Sequence, residues 1–175
     1  MRTLNLALPP RISFVALALL LGLSSQSHPL AAQAETTGAT WVLPVELPAQ
    51  LVNTFQAPAT AYASGHRGLD YLVRDQAKLL APSQGTIAFT GQVAGKSVVA
   101  INHAGGYRTS FEPACAELKV GDPVTVGQVF AKVCSAGYKS HCFPKICLHY
   151  GLRIGSDYLS PLALAGALPA SHVVG

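Results

Sequence analysis

The sequence predicts an all-β domain, a compact antiparallel sandwich or barrel with little helix. Short β-rich runs follow one another from residue 68 to residue 153, separated by Gly-, Pro- and Asp-containing turns, and no amphipathic stretch at helical spacing lies among them. The Gly-Asp-Pro and Gly-Gln turns at 121–123 and 127–128 are of the kind that folds short extended pieces back on one another.

Taken in order, residues 1–11 carry Arg2 and Arg11 and no acid, and 12–23 are apolar apart from Ser13 and Gly22. Small and polar residues then lead to Ala32-Gln33-Ala34. This pattern predicts a signal peptide over 1–34 with the mature chain starting at Glu35, hence a secreted, extracytoplasmic protein. The apolar run is shorter than the roughly 20 residues of a membrane span, so no span is expected after cleavage. No cysteine precedes the cleavage site, which argues against a lipid anchor; an uncleaved anchor is the alternative. The remaining residues suit one domain of about 100–150 residues with its own core.

Residues 35–64 are expected to form an N-terminal extended segment and linker, 65–165 the main domain and 166–175 a loose tail. Within the first part, 35–40 are small and polar, and 41–48 mix apolar residues with two prolines, which suits an extended edge segment. Residues 57–65 read as a loop delivering the chain to His66. Strand-like runs follow at 68–73, 78–81, 86–90, 97–103 and 107–111, with turns at 91–95 and 104–106. Two short extended pieces fill 120–130, and 146–153 is the last clear strand. Its alternation puts Cys147 and His149 on one face and Leu148 on the other. Residues 158–162 close the domain, and there is no internal repeat.

The twelve basic and eight acidic residues include Arg2 and Arg11, so cleavage leaves ten against eight. With no Lys/Arg cluster and no aromatic-basic alternation, nucleic-acid binding is excluded. All four cysteines, Cys115, Cys134, Cys142 and Cys147, lie in the exported part, where an oxidising compartment favours disulfides. Three pairings are possible. The favoured one joins Cys142 to Cys147 around Phe143-Pro144-Lys145, and Cys115 to Cys134; a four-thiolate zinc site, without any C-x-x-C pair, is the rival reading.

Two stretches carry metal-ligand chemistry. His66 and Asp70 stand four apart with Gly68 between them, and His149 lies far downstream. A hydrolytic zinc site takes three such ligands and keeps a fourth position open, but an H-x-x-x-D pair alone is a weak signal. Its context is richer. His66-Arg67-Gly68-Leu69-Asp70 matches an H-x-G-x-D motif, and Ala81-Pro82-Ser83-Gln84-Gly85-Thr86-Ile87 is similar to A-P-x-x-G-x-V. Asn102-His103-Ala104-Gly105-Gly106-Tyr107 is similar to a D-H-G-x-G-Y core, 120–128 to V-G-x-x-V-x-x-G-Q, and Cys147-Leu148-His149 falls on a closing H-x-H. In this order they resemble the M23 family of bacterial zinc peptidases, of lysostaphin and LytM type, over roughly 65–164.

The resemblance implies Zn2+ held by His66, Asp70 and His149, and peptidoglycan or its peptide stems as substrate. It also exposes two departures. The first histidine of H-x-H is Cys147, and the histidine of a Y-x-H-L segment is replaced by Pro113. Neither residue supplies an imidazole beside the metal ligands, so the proton role falls to Glu112, beside the vacated position, or to His141, just outside the small disulfide loop. The surface readings of both, a solvated strand-end carboxylate and a loop histidine, stand beside these. The expected function is a secreted metalloendopeptidase in cell-wall remodelling. The alternative is a non-catalytic wall-binding module that keeps fold and metal and activates another wall hydrolase.

Of the remaining residues, His103 is expected to be a hydrogen-bonded structural histidine and His172 to be inert in the tail. Tyr107, Tyr150 and Arg153 either pack or line a substrate groove. Gly68 is expected where backbone must approach closely near the metal pair.

Overall fold

Among the described residues, all the regular structure beyond two short 3-10 turns is β. The structure, a computed structural model, describes residues 41–60, 62–135 and 140–165. The expected signal peptide, the 35–40 linker, the tail and His172 lie outside the described residues. Among these residues no helix is long and apolar enough to cross a membrane.

The described residues form eleven strands, β1 (Gln50–Asn53), β2 (Gly68–Val73), β3 (Lys78–Leu80), β4 (Gly85–Val93), β5 (Lys96–Asn102), β6 (Tyr107–Glu112), β7 (Cys115–Ala116), β8 (Pro123–Val124), β9 (Val129–Lys132), β10 (Ile146–Ile154) and β11 (Asp157–Leu159). An eight-stranded sheet runs β1-β2-β10-β6-β5-β4-β8, with β11 also paired to β10, and a three-stranded sheet runs β3-β9-β7. Every pairing is antiparallel.

Alternation along the strands decides which face of the large sheet is dry. Leu69 and Tyr71 on β2, Leu148 and Tyr150 on β10, Phe111 on β6, and Val99 and Ile101 on β5 all point one way. They bury against Leu79, Phe130, Ala131 and Val133 of the small sheet and its flank. Phe111 packs on Phe130 at 4.8 Å between ring centroids and stacks on Tyr150 at 5.3 Å. Tyr150 is therefore a packing residue rather than a groove residue. The opposite face carries Gly68, Asp70, Cys147, His149, Gly151, Arg153, Arg108, Ser110 and Glu112, and it is the face that positions the site.

The 41–48 segment is an edge piece as expected, hydrogen-bonded through Val42 N to Pro82 O and Leu80 N to Pro44 O. Three features differ from the sequence reading. β1, inside the segment expected to be linker, pairs with β2. The turn expected over 91–95 shrinks to Ala94-Gly95, both at positive φ, because β4 and β5 stay paired out to Val93 and Lys96. After β10, expected to be the last clear strand, the chain folds back as one more short strand, β11. In each case pairing with a neighbouring strand holds in the sheet a segment whose own sequence gives only weak β signals. Both disulfides, Cys115–Cys134 and Cys142–Cys147, are the favoured pairing, and no free cysteine remains. The four-thiolate alternative is thereby overturned, since disulfide sulfurs are not thiolates.

His103 is buried and fully engaged: its Nδ1 lies 2.9 Å from Gln84 O and its Nε2 2.8 Å from Thr109 Oγ1. Trp41 covers it at 4.6 Å and Tyr107 packs on Trp41 at 5.9 Å. Burial disfavours the imidazolium, and although the bond to Gln84 O favours it, the net effect is a pKa below the ordinary value of 6.5. The unfolded chain thus binds more protons than the folded one as pH falls below that value. The stabilisation is complete above about pH 6.5 and is lost toward the folded pKa, at no more than about 1.4 kcal/mol per pH unit for one proton. Urea unfolding of wild type and His103→Gln between pH 7.5 and 5 checks this, the variant being expected to show the flatter dependence.

Candidate metal centre

The register of the large sheet puts four polar side chains in one row. Asn53 on β1 faces Asp70 on β2, Asp70 faces His149 on β10, and His149 faces Glu112 on β6. Cross-strand partners share a face with Cβ atoms about 5 Å apart, so residues 96 positions apart or fewer in sequence meet within a few ångströms. His66 joins from the segment entering β2, where its backbone bridges Gln56.

Asp70 is the centre of this arrangement and is 0 % exposed. Its Oδ1 lies 2.8 Å from His149 Nδ1, and its Oδ2 lies 3.0 Å from His66 Nε2, 2.8 Å from Asn53 Nδ2 and 2.5 Å from His141 Nε2. Burial raises the carboxyl pKa, but hydrogen bonds from His149, His141 and Asn53 outweigh it and hold the group well below the usual carboxylate range. Asp70 is therefore a buried anion.

The tautomers follow from the partners. A carbonyl oxygen only accepts, so His66 Nδ1–H donates to Thr54 O at 2.7 Å. In the neutral ring this leaves a lone pair on His66 Nε2, which faces Asp70 Oδ2 and, at 3.2 Å, His149 Nδ1. A single proton on His149 Nδ1 must then serve both Asp70 Oδ1 and His66 Nε2, while His66 Nε2 and Asp70 Oδ2 meet as two acceptors. Such a convergence of lone pairs suits a cation. The 3.2 Å between His66 Nε2 and His149 Nδ1 approaches the roughly 3.3 Å edge of a tetrahedron with metal–ligand bonds of about 2.0 Å, and the Asp70 carboxylate faces each ring with a different oxygen, Oδ1 toward His149 and Oδ2 toward His66. His66, Asp70 and His149 together form a possible metal-binding cluster, their ligand atoms all within 4.8 Å of one another.

His141 also reaches the site, which its surface reading did not anticipate. Nothing in its local sequence places it there. The Cys142–Cys147 disulfide does, since Cys147 sits two residues before His149 on the same face and ties the 142–147 loop back to the sheet. His141 Nε2 lies 4.0 Å from Cys147 Sγ, so the imidazole occupies the neighbourhood of the position where the H-x-H pattern carries its first histidine. Its side chain is 51 % exposed. Cys147 itself is oxidised and offers no thiolate. Glu112 shares the face, but its Oε1 is held by Lys96 Nζ at 2.9 Å. Pro113 follows it through a cis peptide.

Gly68 has the close approach expected of it. A Cβ there would fall 2.5 Å from Tyr150 O and 2.7 Å from His149 Nε2, so the missing side chain is the space into which the His149 ring leans. Asn53 and Thr54, which orient Asp70 and His66, escaped the sequence reading. Their only signal is position at the end of a short strand whose pairing the sequence does not reveal.

Comparison with known proteins agrees with this geometry. A family description, peptidase family M23, matches residues 64–161. Uncharacterized proteins of Mycobacterium tuberculosis and Mycobacterium bovis are 35 % identical over 130 residues, which is 72 % of this chain and 51 % of each relative. The chain thus spans about half the length of these relatives. A zinc containing peptidase from Vibrio cholerae shares the fold with TM-score 0.56 and 22 % identity, over 69 % of this chain and 38 % of that one. The catalytic domain of the antimicrobial peptidase lysostaphin from Staphylococcus simulans does so with TM-score 0.57 and 19 % identity, over 67 % and 92 %. A motif series in order, an antiparallel sheet of this topology and a family match over more than half its length lead to one assignment: the chain belongs to peptidase family M23.

Proposed function

We propose that the chain is an exported zinc metalloendopeptidase domain that cleaves peptide stems or cross-links of peptidoglycan during cell-wall remodelling. The observation that carries the reading is the His66 tautomer: with Nδ1–H committed to Thr54 O, its Nε2 lone pair faces a buried carboxylate and a second imidazole nitrogen. His66, Asp70 and His149 would hold Zn2+. When bound, zinc supplies Lewis acidity to the scissile carbonyl and to the attacking water. Two disulfides and the signal-like N-terminal sequence support an extracytoplasmic location.

The chain's own residues supply the rest. Asn53 and Thr54 fix the two ligands on the β1–β2 side, a role that in metal sites governs affinity. His141, outside the three-donor set but bonded to Asp70 Oδ2, flanks the centre with its ring half open to solvent. We assign it the transfer of the water's proton to the leaving amine. Glu112, the other candidate, is neutralised by Lys96 and fits a structural ion pair better.

A second reading has its own support. The positions where the family pattern carries assisting histidines hold Pro113 and Cys147, which suits a non-catalytic module that binds the wall and activates another wall hydrolase.

Metal analysis of the purified, oxidised protein is expected to give about one zinc per chain. His66→Ala or His149→Ala should abolish it, and Asn53→Ala should weaken affinity by about 10–100-fold; a wild type that takes up no metal overturns the site.

Incubation of the zinc-loaded protein with purified cell wall is expected to release new peptide amino termini in a chelator-sensitive way. His141→Ala should lower the rate by about 10²–10⁴-fold at unchanged zinc content, Glu112→Gln should leave it within a few-fold, and the Cys142→Ser/Cys147→Ser double variant should approach His141→Ala. Full activity in His141→Ala removes the assigned role. No release by wild type, with stimulation of a companion hydrolase instead, decides for the non-catalytic reading.

A further inference from the structure

Two strand steps along the site face from His149, two arginines stand opposite each other. Arg153 on β10 pairs in register with Arg108 on β6 and with Tyr158 on β11. Like charges directly opposite are destabilising, and both side chains are half-buried. Neither guanidinium has an ion pair or hydrogen bond among the described residues. The carboxylates on this face of β2 and β6 are committed, Asp70 to the metal cluster and Glu112 to Lys96. The pair thus carries a charge of two with no anion bonded to it among the described residues.

The arginines also line a groove of about 340 Å³. Phe89, Val98, Arg108, Ser110, Arg153 and Tyr158 lie on its walls, giving one apolar side and one cationic side. The row between the arginines and the metal cluster is Gly68, Gly151, Ser110 and Ala100, all small. At about 3.3 Å per residue, Arg153 lies roughly 13 Å along the strand from His149. An extended peptide covers that span with three to four residues.

We propose that Arg108 and Arg153 form a carboxylate-binding subsite that seats an acidic residue, or other carboxylate, of the peptide about three residues from the scissile bond. Guanidinium forks match carboxylates bidentately, and two of them facing one groove give the anion both oxygens a partner. The inference rests on the peptidase reading for the direction of the bound chain, and it deepens that reading by naming a chemical requirement of the substrate.

The test uses the full, oxidised, zinc-loaded protein, labelled at arginine Nε, and two acetylated, C-terminally amidated tetrapeptides, Ala-Ala-Ala-Glu and Ala-Ala-Ala-Gln. Titration followed by calorimetry in wild type and variants alike, with the Arg108 and Arg153 Nε–H signals reporting the contact in wild type, is expected to show the Glu peptide binding on the order of tenfold more tightly, the scale of one charge-assisted contact. The preference should vanish in Arg108→Gln/Arg153→Gln and persist in part in the two Lys variants, which keep the charge and lose the fork. It should also persist in His141→Ala, which leaves the groove intact. Equal binding of the two peptides to wild type overturns the subsite, as does a preference that survives the double Gln variant while thermal unfolding shows it folded. Release of wall peptides, measured separately, distinguishes the two readings. A Glu preference without wall hydrolysis sinks the peptidase and keeps the subsite, and hydrolysis without a preference does the reverse.

Discussion

A fully buried, ionised carboxylate is the constraint on which the site depends. Desolvating a charge costs several kcal/mol unless close partners replace the lost water. Asp70 therefore draws contacts from four separate parts of the chain: Asn53 on the edge strand, His66 ahead of β2, His149 on the neighbouring strand and His141 on a disulfide-bound loop. Two of these exist only if the β1–β2–β10 register is correct, since a slip of one residue would turn Asp70 into the apolar face and Leu69 out of it. The apolar face enforces that register: Leu69, Tyr71, Leu148 and Tyr150 are buried together only when Asp70 and His149 meet on the other side. Core packing and the geometry of the histidine–carboxylate cluster are thus two faces of one alignment.

The disulfides enter the same logic. The loop at 141–145 is largely exposed, Phe143 included, so it buries little apolar surface and gains little from packing. Cys142–Cys147 supplies a covalent tie in its place, and its short span leaves His141, the residue just outside the ring, little freedom to leave Asp70. Cys147, standing where the family pattern carries a histidine, is the anchor that brings the His141 imidazole over the strand.

How much of this the sequence displays follows from the range of each signal. Strand alternation is local, so the shared face of Cys147 and His149 and the all-β class are legible from residues within a few positions of one another. The His66–Asp70 pair is equally local, and order along the chain links it to His149. Asn53 and Thr54 carry no such pattern. They matter because β1 pairs with β2, a contact whose sequence signal is four residues long, three of them exposed or polar. The contraction of the 91–95 turn to Ala94-Gly95 has the same origin: Gly91 reads as a turn residue, yet its pairing with Val98 keeps it in the strand. His141 was legible as a candidate through chemistry alone, and only the closed loop gives it a place.

The site face resolves into three parallel rows, each set by cross-strand register. One holds Asn53, Asp70, His149 and Glu112; the next holds Gly68, Gly151, Ser110 and Ala100; the third holds Tyr158, Arg153 and Arg108. The outer rows are charged and the middle row is nearly without side chains. At Gly68 the gap accommodates the His149 ring, and at Gly151 a Cβ would fall 2.7 Å from Ser110 Oγ, so neither glycine tolerates even a methyl group without displacement. A sheet whose purpose was only to cover the core would gain from β-branched residues at these positions, which pack better on a pleated surface. The middle row instead leaves a strip of open backbone between a buried anion that gathers imidazoles and a pair of cations that repel each other. An extended chain lying across that strip would bring a backbone carbonyl to the first row and an acidic group to the third. The small residues thus relate two polar rows that would otherwise be unconnected features of one surface.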